Sequence, residues 1–163
     1  MPIPNIKNPY ILPVDEALRL RKFEDIFDFA FDWYQDTEIV WLVDGVKVPY
    51  TMEKLDRMYH YLDKHGELYF IEAMENGIWK PIGDVCLCED DLPIVIGDPE
   101  YRGKGVGQKV IAALIDRGKA LGWKNMLVQE IYSYNFASQK CFEKSGFRVH
   151  EVRDSGSRYI IDL

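Results

Sequence analysis

Asp98-Pro99-Glu100-Tyr101-Arg102-Gly103-Lys104-Gly105-Val106-Gly107 is the stretch on which the fold turns. It leaves a short apolar run, Leu92 to Ile96, and enters a helical pattern that starts at Val106. Glycine lets a backbone approach a ligand closely and turn several N–H groups inward. The start of a helix adds the positive end of its dipole. Arg102 and Lys104 add full charges, so the stretch reads as a phosphate cradle. Two familiar cradles fail on spacing. A P-loop has four residues between its first glycine and Gly-Lys, with Ser or Thr next; here five residues separate Gly97 from Gly103-Lys104, and Gly105 follows. The dinucleotide fingerprint needs G-x-G-x-x-G, and the pattern here is Gly103-x-Gly105-x-Gly107.

Elements on either side set the fold class. Val106 to Leu121 carries an apolar stripe of Val110, Ile111, Leu114, Ile115 and Leu121 and stops at Gly122. Asn125 to Ile131 reads as a strand, and Asn135 to Ser145 as a short helix with Asn135 as N-cap and Gly146 as its stop. Arg148 to Val152 and Arg158 to Asp162 read as the last strands. Upstream, Leu68 to Ala73 and Trp79 to Cys88 read as strands joined by an Asn76-Gly77 hairpin turn. Leu92 to Ile96 is continuously apolar, which predicts a central strand. Ala17 to Lys22 alternates like a half-buried strand. Glu24 to Tyr34 is acidic and aromatic at helical spacing, and Thr51 caps a second helix that ends at Gly66. The expectation is an α/β (α+β) class: a mixed, mostly antiparallel central sheet of about seven strands with helices on both faces, in one domain over residues 1–163.

Composition narrows the function. The chain has 163 residues, 47% hydrophobic, which suits one well-formed core. Its net charge of −7 argues against a nucleic-acid partner. No apolar run approaches the roughly 20 residues that span a bilayer, and Met1 to Val14 lacks the pattern of a signal peptide. Residues 1–90 hold 9 Lys+Arg against 18 Asp+Glu, and residues 91–163 hold 11 against 9. That asymmetry suits a cationic ligand near the first half and an anionic one in the second. The three cysteines, Cys86, Cys88 and Cys141, indicate a reducing, cytoplasmic setting rather than disulfides. They and the three histidines form no metal-ligand pattern.

Arg102-x-x-Gly105-x-Gly107 resembles the R/Q-x-x-G-x-G/A signature of the GNAT acetyltransferase superfamily. Asn135-Phe136-Ala137-Ser138-Gln139-Lys140-Cys141-Phe142-Glu143-Lys144-Ser145-Gly146-Phe147 is similar to that family's second signature, N-x-x-A/S-x-x-x-Y/F-x-K-x-G-F. The resemblance covers residues 15–163, includes the branch of ribosomal-protein N-terminal, polyamine and aminoglycoside acetyltransferases, and implies the GNAT-like acyl-CoA N-acyltransferase fold. It implies acetyl-CoA as donor, with Arg102, Gly103, Lys104, Gly105, Val106 and Gly107 at the pyrophosphate. It places the backbone of Ile94, Val95, Ile96 and Gly97 along the pantetheine arm, and Asn135, Ser138, Lys140 and Phe142 in the cofactor region. Many members carry a tyrosine at the Phe142 position as the acid that protonates the leaving thiolate. Phenylalanine cannot do so, and Tyr132, Tyr134 or Cys141 is then a substitute. A thiol with a pKa near ~8.5 leaves readily with little help.

Acetyl transfer to an amine needs the neutral amine, and at an ordinary lysine pKa of ~10.4 deprotonation at pH 7 costs roughly 4–5 kcal/mol. Glu130, at the end of the strand that flanks the thioester, is the first candidate base, with Asp98 second and Asp84 third. The acceptor side, by the resemblance, is shaped by the N-terminal helices. There Glu24, Asp25, Asp28, Asp32, Asp36 and Glu38 accompany Trp33, Tyr34 and Trp41, which suits a cationic amine. The expected activity is therefore acetyl transfer by direct attack in a ternary complex, onto a small polycation such as a polyamine or aminoglycoside, or onto a peptide terminus. The alternative is a CoA-binding regulatory domain without turnover. Whether the chain forms a homodimer stays open.

Overall fold

The computed structural model describes residues 8–163; the expectations for Met1 to Lys7 lie outside the described residues. In chain order the elements are β1 (Ile11–Pro13), β2 (Leu18–Lys22), a 3-10 helix (Asp28–Gln35), α1 (Thr37–Asp44), α2 (Met52–His65), β3 (Gly66–Glu75) and β4 (Ile78–Cys88). There follow β5 (Ile94–Ile96), a 3-10 turn (Pro99–Tyr101), α3 (Val106–Ala120), β6 (Asn125–Tyr132), α4 (Phe136–Lys144), β7 (Arg148–Val152) and β8 (Gly156–Asp162). Every strand pair is antiparallel.

The strands fall into two sheets, ordered β1-β2-β3-β4-β5 and β6-β8-β7, rather than one sheet of about seven. No ladder joins β5 to β6, so β5 is an edge and not the central strand its apolar run suggests. The reason is physical. Leu92 and Val95 are 1% and 9% exposed, so the run is covered on its faces, but hydrophobicity reports burial of faces and not pairing of edges.

Helices do cover both faces. Tyr69, Ile71, Val85 and Leu87 point to one side and share a core with Val110, Ile111 and Leu114 of α3 and Phe142 of α4. The alternate residues Leu68, Phe70, Cys86 and Cys88 point to the other, against Trp33, Tyr34, Val40, Leu55 and Tyr59. The hairpin turn at Asn76-Gly77 has both residues at positive φ, 53° and 79°, as a tight two-residue connection requires. Thr51 accepts from the Lys54 N–H as an N-cap, and Asn135 does the same for Ser138. The Glu24–Tyr34 stretch forms no α-helix: only Asp28–Gln35 winds, as a 3-10 helix. Asp36 then caps α1, which the sequence pattern had not separated from it.

Candidate active site

The two sheets part between β5 and β6, and the site is built around that opening. The Cys86 N–H donates to the Pro93 carbonyl and the Gly97 N–H to the Ile82 carbonyl, so positions 93, 95 and 97 bond toward β4. Backbone groups at Ile94 and Ile96 therefore face the free edge. That edge is a row of donors and acceptors ready for an extended, amide-bearing ligand. Val95 turns its polar groups inward to β4, as does the Gly97 N–H, so neither residue offers that ligand a donor.

Beyond β5 the glycine loop leads into α3. Gly103 and Gly105 sit at φ of 71° and 79°, and an added Cβ at either would meet nothing within 4 Å. Gly105 is the N-cap of α3 and makes no side-chain cap, and the first turn carries no acidic residue. The leading N–H groups have no side-chain cap and no carboxylate in the first turn, and a diphosphate fits such a cradle. Lys104 is exposed beside it. Val106 lends only its backbone, because its side chain is buried in the core. Gly107 serves packing: a Cβ there would lie 3.2 Å from Cys141 Sγ, so its absence lets α4 approach α3.

Arg102 does not face this cradle. Its Nε donates to the Ile96 carbonyl at 3.0 Å and its Nη2 to the Gly97 carbonyl at 3.1 Å. Nη2 also lies 3.4 Å from Asp36 Oδ2. Three protein oxygens engage the guanidinium of Arg102, the residue that the sequence reading places at the pyrophosphate, and tie it to the end of β5. Phe142 is likewise a core residue, 2% exposed and packed edge-on to Phe147 at 5.1 Å. Ser138 and Lys140 lie on the outer part of α4, half-buried and exposed. Cys141, pressed against Gly107, has its thiol pKa raised by burial, which suits packing better than proton transfer.

The candidate acids and bases separate clearly. Asp98 is half-buried: burial opposes its charge, but the Glu100 N–H and the Lys80 ammonium outweigh that and hold its carboxyl below the usual range. A carboxylate so stabilised is a poor proton acceptor, and Asp98 reads as a loop anchor. Asp84 is buried on β4, directly opposite Val95 of β5, and its Oδ2 accepts from Tyr34 and Tyr59 hydroxyls at 2.7 and 2.8 Å. Burial pushes its pKa up to about 6 despite those donors. Glu130 sits in a bulge of β6, where the register with β8 shifts between Val128 and Ile131. Its carboxylate accepts from the Ser155 hydroxyl at 2.9 Å.

Tyr134 donates its hydroxyl to the Trp41 carbonyl at 2.7 Å while its ring stacks on the Trp41 indole at 4.5 Å. Tyr132 stacks on the Tyr134 ring at 5.3 Å. Burial first, then the charges of Glu130 and Asp44, raises the Tyr132 pKa. Burial also raises the pKa of Tyr134. Trp41, Tyr134 and Tyr132 thus form a stack of three rings between α1 and the end of β6.

Residues 17–148 match the family described as acetyltransferase (GNAT) domain. The chain belongs to the GNAT family. It is an acetyltransferase whose acyl donor is acetyl-CoA. Solved structures share the fold of this GNAT chain at low identity. A domain from Methanocaldococcus jannaschii DSM 2661 is 22% identical with a TM-score of 0.79, covering 91% of this chain and 100% of that one. A spermidine N-acetyltransferase from Vibrio cholerae, in complex with CoA and spermine, is 22% identical with a TM-score of 0.71, over 91% and 96%. An aminoglycoside acetyltransferase in complex with coenzyme A is 19% identical with a TM-score of 0.68, over 90% and 94%. Among the described residues no helix is long and apolar enough to cross a membrane.

Proposed function

We propose that residues 1–163 act as one catalytic unit in a reducing, cytoplasmic compartment, moving acetyl from acetyl-CoA to the primary amine of a cationic acceptor by direct attack. The observation that carries this is the uncapped start of α3, behind two positive-φ glycines and at the end of an edge strand that faces the opening. The amides of Val106 and Gly107 and the Lys104 ammonium hold the diphosphate. The edge-facing backbone groups of Ile94 and Ile96, the Ile96 carbonyl through the lone pair that Arg102 leaves, align the pantetheine arm. The bound thioester supplies an activated acetyl group and a leaving thiolate.

The rest falls to this chain's own side chains. Glu130, held by Ser155 in the β6 bulge, takes the proton from the acceptor ammonium, directly or through water. The Trp41–Tyr134–Tyr132 stack receives a cation, and the Asp44 carboxylate, whose Oδ2 is engaged by the Tyr50 hydroxyl at 2.8 Å and the Lys54 ammonium at 3.2 Å, adds its Oδ1, which supports a polyamine, an aminoglycoside or a peptide terminus as acceptor. The named acetyltransferases that share the fold act on the first two of these classes, which agrees with that choice. Phe142 being core, the acid role would pass to Tyr134, whose hydroxyl would first have to leave the Trp41 carbonyl, although a thiol near ~8.5 leaves without an acid at neutral pH.

Calorimetric titration with acetyl-CoA, with ATP and NAD as controls, followed by turnover against an amine panel, tests the proposal. Selective micromolar binding together with acetylation of a cationic amine is expected. Binding of ATP or NAD that CoA does not displace would sink it. Selective binding with no turnover on any amine would return the chain to a regulatory role.

A further inference from the structure

Helix α1 bridges the two halves of the opening. At its start, the Asp36 carboxylate divides its two oxygens between two tasks. Oδ1 caps the helix by accepting from the Glu38 N–H at 3.0 Å, and Oδ2 faces the Arg102 guanidinium at 3.4 Å. Arg102 in turn bonds the Ile96 and Gly97 carbonyls at the end of β5, in the five-stranded sheet. At its other end, the Trp41 carbonyl of α1 accepts both the Gly45 N–H and the Tyr134 hydroxyl, and the Trp41 ring stacks on Tyr134. Tyr134 follows directly on β6, in the three-stranded sheet. The two sheets share no ladder, so α1 ties across their gap through one ion pair and one aromatic stack.

We infer that Arg102 is a positioning residue that couples the donor strand to the acceptor helix, and not a ligand of the cofactor phosphates. The Ile96 carbonyl lies on the free edge of β5 and has two lone pairs. One takes Arg102 Nε, which leaves the other for the pantetheine arm. Ordering that edge therefore orders the guanidinium fork, and the fork holds Asp36 and with it the N-cap of α1. Helix α1 carries Trp41 and Asp44, the acceptor wall proposed above, on which this inference rests. Donor binding would thus stiffen the acceptor site before the amine arrives.

Arg102→Lys separates the two roles, because lysine keeps the charge that a phosphate needs but has no planar fork to span a carbonyl pair and a carboxylate. The measurements are acetyl-CoA affinity by calorimetry, acceptor KM with a saturating amine series, and hydrogen exchange of the α1 amides with and without acetyl-CoA. Coupling requires that Arg102→Lys and Asp36→Asn each leave the acetyl-CoA Kd within about threefold of the unmodified chain. Each should raise the acceptor KM about tenfold, and the double variant should be no worse than either alone. Acetyl-CoA should slow α1 exchange severalfold in the unmodified chain and not in either variant. An unchanged acceptor KM in Arg102→Lys, or α1 protection that persists in Asp36→Asn, would overturn the coupling. So would an Arg102→Gln variant that loses acetyl-CoA affinity more than tenfold while Asp36→Asn changes nothing. If the unmodified chain itself fails to bind acetyl-CoA, the donor-site proposal falls first and the coupling falls with it, a result distinct from the others.

Discussion

The indole of Trp33 lies flat against Gly97: a Cβ at that position would come within 2.2 Å of the ring. The 3-10 helix thereby seats directly on the end of the donor strand, one residue beyond β5. Gly97→Ala should force Trp33 away, lower stability by about 1–3 kcal/mol and weaken acetyl-CoA binding by loosening that edge. Denaturant melts of Gly97→Ala, Trp33→Ala and the double variant check this. Simple additivity would show that the contact is not what Gly97 is needed for.

Gly105 is a different case, because nothing crowds it and its φ of 79° is the constraint. Gly105→Trp should cost about 1–2 kcal/mol of backbone strain. It should abolish acetyl-CoA binding by filling the space in front of α3. Affinity equal to that of the unmodified chain would remove the loop from the donor site.

Glu130→Gln keeps the size and the Ser155 contact of the side chain but cannot take up a proton. The expected outcome is a fall of about a hundredfold in kcat/KM for the amine near neutral pH, with acetyl-CoA affinity unchanged. The deficit should shrink as pH approaches the acceptor's own pKa, where the amine deprotonates unaided. A pH–rate profile parallel to that of the unmodified enzyme would exclude Glu130 as the base.

Asp84 makes the fold sensitive to pH. Its carboxyl titrates at about 6 when folded, against an ordinary 3.8, so the folded state binds this proton more tightly than the unfolded chain. The associated stability is present below about pH 4 and is lost as pH rises through 6. The penalty at neutrality is roughly 3 kcal/mol. Asp84→Asn cannot ionise, and relative to it the unmodified protein should lose about 2 kcal/mol between pH 4.5 and 7. Urea titrations at the two pH values measure this, and a difference that does not change with pH would refute it.

The buried Glu67 accepts from Tyr69 and makes two bonds to Arg117, at 3.0 and 2.7 Å. Glu67→Gln should destabilise the protein by about 2–3 kcal/mol, since it leaves a partly buried guanidinium without its counter-charge. Replacing both partners, as in Glu67→Leu with Arg117→Met, should recover most of that loss. Thermal melts of the three variants test the ordering.

Much of this was legible in the chain. Local chemistry placed the Asn76-Gly77 turn, the Thr51 and Asn135 caps, the glycine loop at a strand-to-helix junction and the stripe of α3, because each depends on residues within one or two turns of each other. The same residues named the family through two short motifs. Only the tertiary structure decided that β5 is an edge, since pairing partners are far away in sequence and apolar runs look alike at edges and centres. It also brought Asp36, 66 positions earlier in the chain, within reach of the Arg102 guanidinium. The burial of Phe142 followed from Phe147 and the α3–α4 approach at Gly107, and the raised pKa of Asp84 from its burial between distant segments, which the Tyr34 and Tyr59 hydroxyls only partly offset. Backbone turns and caps are short-range and can be read in order. Edges, burial and the direction of a long side chain are set by distant segments meeting.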